Sequence, residues 1–321
     1  MDKDLLARVG FPHYSAEEFD SEKIVLRGGQ EAVLWVHADS GHAILDPKFW
    51  VGSDYYQEEY RSEYSAESAG TRVEPEEHFN IYRDLNEKQF AQFAEHLTSE
   101  TRYLEIGCSF GGVLKLVADF GVGVCHGIEP NEEDTQFIQK VCPQAKIFNS
   151  TFEDLDLKSE YYDVVTSFEA LEHMVSPGSI LQKTAGLMKH NGVINIEVPN
   201  HKDLLLSCYE NIGYESFYYH KAHIHYFTKE SLSNLLEVCG FDGATSSFLM
   251  YPLFNHVFWH QNRSPQPSAQ VAMATPRPSS EKSAAGVAIN EFFARAEKEY
   301  ETIVNQYMVG DCLVYQGKRR E

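Results

Sequence analysis

No stretch of this chain approaches the about 18 consecutive apolar residues that a membrane-crossing helix requires, so no membrane partner is expected. The first residues, Met1-Asp-Lys-Asp4, lack the basic segment and apolar run of a secretory leader, and a cytoplasmic location is expected. Positive charge is scarce: 27 Lys and Arg stand against 48 Asp and Glu, a formal net charge of -21. A polyanion needs a Lys/Arg track to displace its counterions, and none is visible, which argues against nucleic acid as substrate or partner. The six cysteines form no C-x-x-C pair. A disulfide framework and a zinc knot are therefore not indicated, and reduced, mostly buried thiols are expected.

What is present is an ordinary apolar fraction of 43% over 321 residues, enough for one large or two small domains with a sizeable core. The most informative stretch is Tyr103-Leu-Glu-Ile-Gly-Cys-Ser-Phe-Gly-Gly112, an apolar strand ending in an acid and then a glycine turn that opens a helix. Glu105 is placed at the strand end. Gly107 lets the backbone approach a ligand closely, and Gly111 or Gly112 lets the helix pack near the strand. A second strand, Val122 to Ile128, ends at Glu129, 22 residues after Gly107, where a carboxylate takes both hydroxyls of a ribose.

A dinucleotide-binding oxidoreductase has the same order of strand, glycine turn, helix, strand and acid. Its G-x-G-x-x-G pattern, read from Gly107, requires glycine at position 109, where this chain has Ser109. The pattern present is Glu105-x-Gly107-x-x-x-Gly111. An acid before the turn repels a pyrophosphate and welcomes an ammonium, and a cofactor with an ammonium at one end and a ribose at the other is S-adenosylmethionine.

On these residues the chain resembles the class I S-adenosylmethionine-dependent methyltransferases, and the likeness continues in order. Asn149-Ser-Thr-Phe-Glu-Asp-Leu155 is similar to the segment that frames the adenine, and Tyr162 to Met174, containing Glu169-Ala-Leu-Glu-His173, to the fourth strand and its loop. Gly192 to Pro199 resembles the fifth strand, and Ile224-His-Tyr-Phe-Thr228 with Lys229 to Phe241 the later helix. The resemblance covers about 100 to 258. It implies an α/β fold with a Rossmann-like, seven-stranded, mostly parallel sheet and helices on both faces, its sixth and seventh strands an antiparallel pair drawn from Gly243 to Trp259 and Cys312 to Gln316. The cofactor contacts it implies are Glu105, Gly107, Cys108, Ser109, Gly111, Glu129, Pro130, Thr151, Phe152, Phe168 and Glu169.

Residues 1–83 read as an N-terminal cap or lid and 84–321 as the methyltransferase domain, interrupted by a flexible Pro/Ser-rich insertion at 262–285. In the cap, Val33 to His37 and His42 to Leu45 predict a hairpin around Ala38-Asp-Ser-Gly41. Tyr55, Tyr56, Tyr60 and Tyr64 recur near helical spacing, read as a helix laying an aromatic face on the core in preference to a substrate-stacking platform. Ser65 to Glu77 is expected to be a mobile loop able to close over the site. Asn86 to Leu97 predicts an amphipathic helix, and Val287 to Met308 one of about six turns with a broad apolar stripe.

Methyl transfer needs an acceptor aligned with the sulfonium and, for a hydroxyl, a base to take its proton, work suited to histidine. His225, in the His-x-Phe-Thr pattern, is the first candidate by resemblance; the alternative is a structural histidine that orders the helix start at Thr228. His173, in the Glu-His loop, is the second. A divalent cation held by Glu169, Glu172 and His173, as in relatives similar to the ubiquinone-pathway enzymes, is weighed and no metal is assigned. His223, Tyr226, Asn255 and His256 are expected to face the acceptor, although the aromatics around Tyr251 to His260 equally fit a strand packed between sheet and helix. The reading is methyl transfer to a small-molecule or sugar-containing acceptor, most simply at oxygen, of the kind found in polysaccharide or natural-product pathways. Transfer to carbon or nitrogen, a non-catalytic cofactor-binding protein and an NAD oxidoreductase are the alternatives, and a homodimer is left open.

Overall fold

The computed structural model describes residues 1–11, 13–52, 55–56, 74–209, 212–274 and 279–321. Strand-forming runs rich in Val, Ile and Tyr alternate with amphipathic helices through the central part of the chain, the alternation that builds an open parallel sheet with helices on both faces. The strands are β4 (Arg102–Ile106), β5 (Val124–Ile128), β6 (Lys146–Phe148), β7 (Tyr162–Phe168), β8 (Met188–Pro199), β10 (Phe241–Phe248) and β11 (Cys312–Arg319), in the order β10-β11-β8-β7-β4-β5-β6. β4 to β8 run parallel, while β11 is antiparallel to both β8 and β10. This is the seven-stranded, mostly parallel sheet expected. The strand order reverses direction between β4 and β7, and that topological switch opens a crevice beyond the carboxyl ends of the strands.

The expected hairpin forms: β2 (Glu31–His37) pairs antiparallel with β3 (Ala43–Leu45), Val36 opposite Ala43. β1 (Phe19–Val25), which the sequence reading missed, adds to β2. The fourth strand of this second sheet is β9 (His225–Tyr226), which pairs with β3, so the N-terminal segment and the later part of the chain share one sheet. Helix α1 (Lys3–Val9) contributes Leu5, Leu6 and Val9 to the same apolar core as Leu104, Ile128, Val165 and Ile196 of the central strands. Burial of these aliphatic side chains, each worth about 1.5–3 kcal/mol, holds the N-terminal segment onto the sheet.

Two helices, α2 (Pro75–Ile81) and α3 (Arg83–Ala91), precede β4, so the helix expected at 86–97 begins earlier and gives way to a short 3₁₀ turn at Ala94–His96. The tyrosines at 60 and 64 and most of the expected lid lie outside the described residues. The stretch assigned to a strand at Gly243 to Trp259 divides. Its first part is β10, while Pro252 starts a helix over Leu253–Asn262, since proline satisfies a helix N-terminus but not a strand ladder. Within the Pro/Ser-rich segment Ser268 caps a short helix, Ala269–Met273, whose Ala269 and Ala272 are buried. Among the described residues no helix is long and apolar enough to cross a membrane.

Candidate active site

The chain turns sharply after β4. Gly107 adopts φ +75°, and a Cβ there would meet Cβ of Ala170 at 2.7 Å, so only glycine lets this turn sit against the loop after β7. Ser109 is also left-handed at φ 47°, and Gly111, at φ +74°, begins helix α4 (Gly112–Phe120). Glu129, just past β5, anchors the turn across the strands. Its Oε2 accepts from the Ser109 N–H at 2.9 Å and its Oε1 from the Asn131 N–H at 2.9 Å. Asn131 in turn caps α5 (Glu132–Val141) and donates from Nδ2 to the Tyr56 carbonyl at 3.0 Å.

These residues line one cavity of about 1000 Å³ at the carboxyl ends of the strands. Glu105, Gly107, Cys108, Ser109, Glu129, Pro130, Thr151, Phe152, Phe168 and Glu169 all contribute to its wall. Gly111 does not; its role is packing, with a Cβ there meeting Ile138 of α5 at 3.0 Å. The Thr151 to Leu155 loop is held by Lys183, which donates to the carbonyls of Phe152 at 2.7 Å and Leu155 at 2.6 Å. That lysine is a contribution the sequence reading missed, since nothing about a lone helical lysine marks it.

Glu105 is 3% exposed and accepts from the Tyr103 hydroxyl at 3.3 Å. Burial, reinforced by the neighbouring Glu129, pushes its carboxyl up to about 8. A buried carboxyl at the mouth of a glycine turn has the chemistry to receive an ammonium, and a carboxylate at the end of the next strand the chemistry to receive ribose hydroxyls. The donor set thus fits a ligand with a cationic amino-acid end and a ribose.

The opposite wall carries histidines. His173 Nδ1 donates to the Ala222 carbonyl at 2.9 Å and lies 3.2 Å from the Tyr56 hydroxyl, which leaves Nε2 as the acceptor nitrogen. His220 and His223 lie 3.7 Å apart between ring centroids, their planes tilted by 50°, and line the same cavity; burial holds both well below the ordinary histidine range, hence neutral. Tyr56, whose helical spacing pointed to core packing, is part of this cavity wall.

Four further residues expected at the acceptor or the chemistry stand elsewhere. His225 is 1% exposed in β9 and does not line the cavity. Its Nε2 donates to the Val175 carbonyl at 3.3 Å, so its Nδ1 accepts from His42 Nε2 at 3.2 Å, and burial drives its pKa down to about 4. With both nitrogens engaged it is a structural histidine. Thr228 and Ser231 form the capping box of the next helix without its help. Asn255 and His256 are buried in the helix that replaced the expected strand: His256 donates to Asp311 Oδ1 at 3.0 Å and contacts the Tyr300 hydroxyl at 2.8 Å. Burial by itself lowers His256, but the Asp311 carboxylate, together with Asp203 and Glu297, leaves it raised above its ordinary value. Tyr226, 1% exposed, donates to the His220 carbonyl and supports the histidine loop from behind.

Glu169, Glu172 and His173 do not converge as one set. Ligand atoms of Glu172, His173 and His223 come within 4.8 Å of one another, while Glu169 groups with Glu197 and Cys312. Glu169 holds a left-handed backbone at φ 50°, and burial with the nearby Glu172 and Glu197 raises its carboxyl well above the usual range.

A family described as methyltransferase domain matches residues 44–246, more than half of the chain. The ubiquinone biosynthesis O-methyltransferase of Shewanella sp. (strain ANA-3) is 28% identical over 98 residues, covering 29% of this chain and 41% of that protein. Its counterpart from Rhodopseudomonas palustris (strain HaA2) is 28% identical over 127 residues, 38% of this chain and 49% of that protein. The chain thus spans less than half the length of these curated relatives. Among solved structures, a SAM dependent methyltransferase from Archaeoglobus fulgidus aligns at 20% identity over 74% of this chain and 94% of that one, with a TM-score of 0.47. An S-adenosylmethionine dependent methyltransferase from Mesorhizobium loti aligns at 12% identity over 71% and 96%, with a TM-score of 0.44. By the family match, the sheet order and the acid-glycine-acid turn, the chain belongs to the methyltransferase-domain family, as a class I S-adenosylmethionine-dependent member.

Proposed function

We propose that this protein methylates a hydroxyl oxygen of a small-molecule or sugar-containing acceptor, with His173 as the base. The observation that carries the reading is a single cavity with Glu105, Gly107 and Glu129 on one wall and the histidine pair His173 and His223 on the other. S-adenosylmethionine, when bound, supplies an activated methyl on a sulfonium. Glu105 holds its ammonium, Glu129 its ribose hydroxyls, and the Thr151–Phe152 edge its base. His173, its tautomer set by the Ala222 carbonyl, takes the acceptor proton at Nε2. The ubiquinone-pathway names of the relatives support oxygen as the atom methylated. The remaining cavity wall, with Trp50, Tyr214, Phe217 and Tyr251 beside Asp203, supplies aromatic faces and a polar group of the kind that receive a ring bearing hydroxyls.

The test is an acceptor screen with radiolabelled methyl donor against catechols, polyhydroxylated aromatics and sugar nucleotides, followed by His173→Ala on the best acceptor. The expected result is a kcat lower by about 10²-fold or more with cofactor affinity unchanged. An unchanged kcat refutes the base assignment; methylation confined to amines refutes the oxygen assignment.

A further inference from the structure

The helix α6 of the C-terminal part, Ala284–Gln306, is 23 residues long, yet only Gly286 and Val304 on it are buried. It packs on the domain through Phe293, whose ring lies 5.2 Å from that of Phe254, through Glu297, which accepts the Leu253 N–H at 2.9 Å, and through Tyr300 against His256. At about 100° per residue, Ala285, Ile289, Phe292, Ala296, Ile303 and Tyr307 fall within an arc of about 60° beside that packed face. Ile289 is 43% exposed, Phe292 57%, Ile303 49% and Tyr307 68%. They form an apolar seam about 33 Å long.

The seam is complementary to itself. About a two-fold axis at Ala296, antiparallel packing sets Ile289 against Ile303 of a second copy and small Ala285 against large Tyr307, with the short alanine at the crossing. In antiparallel pairs like flanks meet. One flank then brings Arg295 near Glu299 of the other copy, twice by symmetry, and the other brings the rims of Phe293 and Tyr300 together. A parallel arrangement brings unlike flanks together and loses this Arg295–Glu299 match. We infer that this helix is a homodimer interface, in which two copies pack antiparallel across a two-fold axis at Ala296. A seam one helix wide is at the small end of stable interfaces, which need about 800 Å² per partner, and the chain's net charge of -21 opposes association. The dimer is therefore micromolar and tightens with salt.

Sedimentation velocity from about 1 to 100 μM tests this. Wild type is expected to pass from monomer to dimer in that range, and Phe292→Glu or Ile303→Glu to raise Kd by more than about 100-fold with cofactor binding retained as proof of folding. Orientation is read by cross-linking in a Cys208→Ser background, since Cys208 is the exposed native thiol. Ala296→Cys should form a disulfide with itself, and Ile289→Cys only when mixed with Ile303→Cys. A monomer at 100 μM, a dimer indifferent to both charge substitutions, or an Ile289→Cys variant that links to itself overturns the inference.

Discussion

Cofactor affinity should depend on pH through Glu105, and the size of the effect follows from its burial. With its carboxyl pushed up to about 8, the free protein carries a proton on Glu105 through most of the neutral range. Seating an ammonium requires the carboxylate, so binding below pH 8 must expel that proton, and above pH 8 the ligand amine, ordinarily about 7.7–8.0, begins to lose its own. The product of the two fractions gives an optimum near pH 8. It predicts a loss of about 20-fold, or about 1.8 kcal/mol, on going to pH 6. Isothermal titration with S-adenosylhomocysteine at pH 6, 7 and 8 measures this. Repeating pH 7 in two buffers of different ionisation enthalpy counts the protons, with about 0.8 released per cofactor. Glu105→Gln should abolish the release and flatten the acid limb. An affinity independent of pH with no proton released would refute the placement of the ammonium at Glu105.

Gly107→Ala forces a side chain into a left-handed turn with Ala170 at 2.7 Å. A stability loss of about 1–2 kcal/mol, together with a weakened cofactor Kd, is expected from thermal melts and titration. Asp311→Asn leaves His256 buried without its carboxylate and strips charge from the acceptor of the Met250 and Tyr251 N–H groups. Denaturant unfolding should show a loss of about 3 kcal/mol, and a loss below 1 kcal/mol would mean that the pair is not formed. The apo protein should become less stable between pH 6.5 and 8.5. Buried Glu105, Glu172, Glu197 and Asp203 all titrate above their unfolded values, so in that window the folded chain holds protons the unfolded chain has released. Lowered histidines such as His225 act only below pH 6.5. A Tm that rises from pH 6.5 to 8.5 would contradict the burial of these carboxyls.

The glycine-turn wall of the cavity was legible because its elements are local in sequence. Glu105, Gly107 and Ser109 lie in one turn, and Glu129 ends the next strand, so periodicity and glycine spacing locate them before any tertiary contact is known. The histidines were not separable in that way. His220, His223 and His225 sit within six residues, but a two-residue strand pairs His225 with Ile44 and points its nitrogens at His42 and Val175, while the other two line the cavity. Asn255 and His256 were misplaced because a Phe- and Trp-rich run fits strand or helix equally, and Pro252 decided for helix.

The sequence by itself determined the class of fold, the strand and helix alternation and the acid-glycine-acid turn, because each depends on residue type and near spacing. Only the tertiary structure decided which carboxyls are desolvated, which histidine faces the cavity, that Tyr56 from the N-terminal segment completes the wall beside His173, and that β9 ties that segment to the core. Those outcomes are set by contacts between residues more than a hundred positions apart, whose geometry no local pattern encodes.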